Sequence, residues 1–163
     1  MEDPTHDEWT ERLATLFAEQ PAWVAAARHL RHDATSTVFF RHREGEAWRL
    51  ETHAGRTCLL PGAARDPDFV FRFSPASIEV LEAVQGGIGE FAVALFEQIT
   101  EGEVDLRIRA GFGRLTMRGY VKLLLAAGPP VLAFGATHGI RTLGALRKFI
   151  AELRSRGEAD WEG

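Results

Sequence analysis

Few side chains in this sequence are spaced for chemistry. His29 and His32 stand three apart on a helical stretch, a spacing that suits two ligands of one metal ion. No third donor lies near them, and His42, His53 and His138 are scattered without zinc spacing, so solvated histidines are the ordinary reading. Cys58 alternates with Thr57 in a strand and reads as a small buried residue rather than a nucleophile. No serine sits in a Gly-x-Ser-x-Gly elbow. Gly111-Phe112-Gly113 lacks a third glycine and follows no parallel βαβ pattern, which argues against a dinucleotide site. Asp66, Asp68, Glu101, Glu103 and Asp105 are numerous enough to pair, yet none stands out as an acid–base couple. Catalysis would need a polar cluster, such as Tyr120 or His138 meeting an acid. The expectation is a protein that is not an enzyme, with no cofactor and no metal.

What the chain does space regularly is apolar. In Asp68-Phe69-Val70-Phe71-Arg72-Phe73-Ser74-Pro75, three phenylalanines share one face of a strand, about 7 Å apart. Ser74 is a good helix N-cap and Pro75 a good first helical residue. Ile78, Leu81 and Val84 face inward from the helix that follows, and Gly86-Gly87-Ile88-Gly89 ends it. Phe91, Leu95, Phe96 and Ile99 mark a second helix, stopped at Gly102. Val104, Leu106 and Ile108 then line the inner face of a fifth strand.

Upstream, Thr5 and Glu8 have the spacing of a capping box, and Trp9, Leu13, Leu16 and Phe17 recur at helical intervals. Pro21 starts a short second helix with Trp23, Ala26, Ala27 and Leu30 as its buried residues. Three alternating runs follow, at 37–41, 47–52 and 57–60. Polar turns at Arg43–Glu46 and His53–Arg56 separate them, an antiparallel meander. Downstream, residues 114–127 read as one helix, apolar on so many sides that burial on more than one is expected. Residues 140–154 read as a last helix with Leu143, Leu146, Ile150 and Leu153 inward and Arg141, Arg147, Lys148 and Arg154 outward. The tail from Gly157 reads as frayed.

The 163 residues suit one domain, and 45% hydrophobic residues supply a sizeable core. A net charge of −4 disfavours nucleic acid as a partner. A single cysteine permits no internal disulfide and fits a cytoplasmic location. The acidic N-terminus does not read as a signal peptide. The apolar stretch 121–134 is broken by Gly128-Pro129-Pro130, so no transmembrane segment is expected.

The order of elements, with Asp68 through Ser74, the helix around Phe91–Gln98, Glu101 through Ile108, and Leu115-Thr116-Met117-Arg118 through Leu124, resembles the sterol carrier protein 2 family of non-specific lipid-transfer proteins. The Trp48 strand and the Gly55 turn also fit. The match covers roughly residues 37–127. The Gly111-Phe112-Gly113 connection is longer than the family's short turn, and the segment after Gly128 departs from a typical carrier. The resemblance implies an α+β fold: a five-stranded mixed sheet, three strands as an antiparallel meander plus two crossover strands, covered by helices over an apolar cavity. It implies a noncovalent apolar ligand such as a fatty acid, acyl ester, sterol or phospholipid.

The residues proposed to line that cavity are Phe71, Phe96, Ile99, Leu115, Met117, Tyr120, Leu123, Leu124, Val131 and Phe134. Phe69, Phe71 and Phe73 are more ordinarily core, a back wall rather than the site. Met117 offers adaptable contact and Tyr120 a hydroxyl for a head group. Val131, Leu132 and Phe134 form either a lid or plain cover. Each buried methylene contributes about 0.8 kcal/mol, so a long acyl chain gains on the order of 10 kcal/mol before ordering costs of several kcal/mol. The rival reading is a non-catalytic accessory or dimerising module of a lipid- or quinone-related pathway. Monomer and homodimer both stay open. The basic face of the last helix is either a solvated surface or a transient membrane contact.

Overall fold

A computed structural model describes residues 6–155. Helix α1 (His6–Glu19) lays Trp9, Leu13, Leu16 and Phe17 into the core. Its expected cap, Thr5, lies outside the described residues, as does the tail from Gly157. Gln20 caps α2 (Pro21–Ala27): its side-chain oxygen accepts from the amides of Ala22 and Trp23. Strands β1 (Thr35–Phe40), β2 (Arg43–His53) and β3 (Arg56–Pro61) form the meander. The expected turn at Arg43–Glu46 belongs instead to β2. The chain reverses at Arg41-His42, where the pairing shifts between Phe39 and Phe40 and leaves Phe40 opposite Arg43. Such an irregularity lets a strand turn before its polar residues do. The second reversal falls as expected at Ala54-Gly55, both at positive φ.

Strand β4 (Phe69–Phe73) pairs parallel with β1, and β5 (Val104–Ile108) pairs antiparallel with β4. The sheet order is β3-β2-β1-β4-β5. Between β4 and β5 lie α3 (Pro75–Glu82) and α4 (Ile88–Thr100). Ser74 caps α3 as its sequence requires: its hydroxyl oxygen accepts from the amide of Ser77 at 3.1 Å and its O–H donates to Glu103 at 2.5 Å.

Register puts Val38, Phe40, Trp48, Leu50, Phe71, Phe73 and Val104 on one face, and these residues pack with α1, α3 and α4 in the main core. Phe71 and Phe73 stack at 5.6 Å, and Phe73 meets Phe17 edge-on at 6.3 Å. The Phe69-Phe71-Phe73 face is therefore core, a back wall. The opposite face is polar. Arg49 pairs with Glu51 at 2.6 Å and Arg72 with Asp105 at 2.7 Å. Cys58, expected to be buried, shares that face opposite Glu51 and is half-exposed.

The largest departure from expectation lies beyond β5. The single helix expected over 114–127 is two helices, α5 (Phe112–Met117) and α6 (Tyr120–Ala127). Gly119 breaks them apart at φ 94°, and a Cβ there would sit 2.0 Å from the carbonyl oxygen of His29. Only glycine takes that backbone shape at that contact without strain. Val131, Leu132 and Phe134, expected as a lid or plain cover, lie in a helix, α7 (Pro129–Thr137), and α8 (Leu143–Ser155) closes the described chain. Leu146 of α8 packs on the cluster around Ile108, as expected. The side chains of Leu143, Ile150, Leu153 and Arg154 lie outside the described residues.

Candidate functional site

Two constellations lie on the helical side of the sheet beyond the main core. The first is polar and centres on Asp68, which precedes β4 and is 0% exposed. Its amide donates to Thr35, and its carbonyl accepts from the amides of Arg109 and Ala110, so it clamps the ends of three strands together. Its carboxylate accepts from the guanidinium of Arg118 at 2.5 Å, the hydroxyl of Tyr120 at 3.0 Å and the amide of Thr35 at 3.2 Å. Arg114 adds an ion pair at 3.2 Å. The α5–α6 break serves this cluster: Gly119 turns the chain so that Arg118 and Tyr120 both reach Asp68. The carbonyl of Arg118 meanwhile accepts from the amide of Arg31.

Sequence reasoning named Tyr120 meeting an acid as one sign of catalysis, and Tyr120 does meet Asp68. The chemistry available there is nevertheless poor. Burial, then the Asp68 charge and hydrogen bond, push the Tyr120 hydroxyl far above its ordinary range. A phenol that resists ionising, bonded to a carboxylate already held by two guanidiniums, is suited to structure rather than to proton transfer. Its ring packs edge-on to Phe69 at 4.8 Å. Nothing in the spacing of Asp68, Arg114 and Arg118 along the chain signalled that they converge, because their neighbourhood depends on the Gly119 turn.

The second constellation is apolar and lies where α4 meets α6 and α7. Phe96 stacks on Phe134 at 5.8 Å, and Phe134 stacks on His138 at 4.4 Å. Gly89 lets the end of α6 approach α4; a Cβ there would lie 2.4 Å from the carbonyl oxygen of Ala127. Val131, Leu123 and Leu124 are half-buried. Ile99 and Phe71 pack against the main core instead. Leu115 is buried with Ile108 and Ala110, and Tyr120 packs against that group.

The expectation that the 114–127 region is buried on several sides is overturned. Ala127 is the one buried residue of α6, and α7 has none. Met117 is 75% exposed and Leu125 68%. The hydrophobicity was legible, but the side to which it turned was not, since the Gly119 break re-aims everything after it. The ten proposed residues are thus divided. Phe96 and Phe134 touch, with Val131, Leu123 and Leu124 on the adjoining helices. Phe71, Ile99, Leu115 and Tyr120 lie deeper, and Met117 faces solvent.

Two surface grooves lie elsewhere. One, of about 410 Å³, runs between α1 and the end of α3 and is lined by Glu8, Glu11, Arg12 and Glu82. The other lies on the polar face of the sheet beside Thr37 and Arg109. Among the described residues no three His, Cys, Asp or Glu side chains gather as metal ligands would.

No family model and no curated protein matches the chain. Solved structures similar in fold include these two. One, described as a UbiJ-SCP2 ubiquinone synthesis protein, shares 17% identity over 77% of this chain and 96% of its own, with a TM-score of 0.44. The other is a conserved hypothetical protein from Thermus thermophilus whose description raises a sterol carrier protein. It shares 18% identity over 100% of this chain and 95% of its own, with a TM-score of 0.37. Likeness at this level concerns fold alone. The architecture that the sequence resemblance implied, a five-stranded mixed sheet of an antiparallel meander plus two crossover strands covered by helices, is the architecture of this chain, with β1 and β4 as its parallel pair.

Proposed function

We propose that this chain is a noncovalent carrier of an apolar ligand, a fatty acyl group or a molecule of similar shape, held between α4 and the α6–α7 pair. The observation that carries the reading is the mismatch between composition and burial in those two helices. α6 has eight residues and α7 nine, nearly all apolar, and one residue between them is buried. A core helix of that composition would bury a full stripe. Here no residue of α7 is fully buried, and its Phe134 stacks on Phe96 of α4 and on His138. An acyl chain entering there would displace Phe134, lie along Phe96, Leu123, Leu124 and Val131, and gain burial that the empty protein forgoes. The Asp68 cluster would keep the scaffold rigid while α7 moves. No reaction is assigned.

The test is native extraction from the expression host with mass spectrometry of bound lipid, followed by titration with a fluorescent fatty acid. Bound lipid, or saturable uptake that Phe134→Asp abolishes, supports the reading. A protein that is empty and takes up no probe overturns it. The exposure of Leu125 and Leu132 also favours a second reading, an accessory module whose apolar face seats a partner. A stable dimer without bound lipid would favour that module.

A further inference from the structure

The outer side of the α6–α7 elbow is an apolar patch with no protein partner among the described residues. Lys122, Leu125, Ala126, Pro129, Leu132 and Ala133 are all exposed and follow one another at helical spacing across the bend. Leu125 and Leu132 are 68% and 65% exposed, far beyond what isolated surface leucines need. The opposite sides of both helices pack on α4. The patch is therefore the outside of a docked hairpin, and no described residue covers it.

Charge indicates which covering surface fits. Residues 106–155 carry nine Lys and Arg and one acid, Glu152, whereas residues 1–105 carry nine Lys and Arg against 19 acids. The basic residues of a chain of net charge −4 thus fall in the half of the sequence that carries the elbow. Arg114 and Arg118 are occupied by Asp66 and Asp68. Lys122 lies within the patch, and Arg141 follows Ile140, whose amide donates to the carbonyl of Gly135 in α7; both are exposed, and neither pairs with an acidic side chain among the described residues. We propose that the α6–α7 elbow, with Lys122 on it and Arg141 just after α7, docks this protein on an anionic phospholipid surface.

The geometry suits lying in the interface rather than crossing it. Among the described residues no single helix is long and apolar enough to cross a membrane, and α6 and α7 meet at 96°. Helices of eight and nine residues reach roughly 12–14 Å, against about 30 Å of hydrocarbon. Leu125, Pro129 and Leu132 would enter the acyl boundary while the cations stay at the phosphates, as in other interfacial helices. A second copy of this chain fits less well, because a two-fold contact through the elbow would bring two sets of Lys122 and Arg141 together. The proposal does not depend on what the protein carries.

The experiment is flotation of the full chain with vesicles of phosphatidylcholine alone and of equal parts phosphatidylcholine and phosphatidylglycerol, with light scattering of the free protein. The expected result is binding to the anionic vesicles, weakened by salt. Leu125→Asp with Leu132→Asp should weaken it about tenfold or more, and Lys122→Glu with Arg141→Glu by a similar factor. These four side chains are exposed, so circular dichroism should show unchanged folding. Equal binding to both vesicle types, absence of binding, or a dimer that Leu132→Asp dissolves would each overturn it. A failure here would leave lipid extraction and fatty acid uptake unaffected, and a failure there would leave vesicle binding unaffected.

Discussion

The Asp68 cluster and the α6–α7 elbow are joined through Tyr120 and are built on opposite principles. At Asp68, one fully buried carboxylate is met by two guanidiniums, a phenol and a backbone amide, and its own backbone ties β1, β4 and β5. Few atoms are involved, and their geometry is fixed. At the elbow, many apolar residues are present and only Ala127 is fully buried. The difference shows how a small domain can be rigid and yielding within a short stretch of chain. Directional bonds in a dry site hold a unique arrangement. Weakly buried apolar helices can lift away at small cost, since stability there is local. Tyr120 begins α6 and bonds Asp68, so the hinge between the two behaviours lies at Gly119–Tyr120.

The sharpest way to break the contrast is Asp68→Ala. It strands Arg114 and Arg118 without their buried partner and should cost roughly 3–5 kcal/mol, read from the urea midpoint. A loss under about 1 kcal/mol would mean that the cluster is not the rigid side of the molecule. Gly89→Ala acts on the other side. Its Cβ would meet Ala127, lift the end of α6 from α4, and cost about 1–3 kcal/mol. On the carrier reading it should also speed uptake of a fluorescent fatty acid, which Asp68→Ala should not do selectively.

Tyr120→Phe removes one bond to a charged acceptor and should cost about 1.5–3 kcal/mol. Tyr120 is the only tyrosine, so phenolate absorbance reports it alone. Its folded-state pKa is raised above the ordinary 10.0. The unfolded chain therefore loses this proton first, and the stability contributed is full below pH 10 and declines as pH rises above it. Phenolate absorbance should appear only with unfolding; an ordinary titration in the folded protein would count against the buried bond. Leu132→Asp should change stability least, by about 0.5 kcal/mol or less, because the side chain is already in water. A large loss would mean that the elbow is core after all.

Much of the scaffold was legible in the chain. Alternation gave the five strands, Ser74-Pro75 gave the start of α3, and the Ala54-Gly55 reversal followed from glycine's freedom at positive φ. The candidate site was legible only in part. Phe96 and Phe134 are 38 positions apart and meet, as an apolar profile allows. Met117 misses the site because it is the last residue of α5, before the Gly119 break, and nothing in the sequence sets Asp68 apart from Asp66, Glu101, Glu103 and Asp105.

By itself, the sequence determined composition, periodicity and local turn chemistry: where the five strands and the helices up to β5 lie, to within a few residues, and that the region after β5 is apolar. These depend on neighbours within a few residues, where spacing fixes which side chains share a face. Tertiary structure alone decided which way that apolar region faces. Gly119 has to turn left-handed against His29, a contact some 90 residues away, before Arg118 and Tyr120 can reach Asp68 and before Leu125 and Leu132 are left in the open. Burial is a property of the packed whole, and a single glycine break rotates every residue after it out of the frame that periodicity assigned.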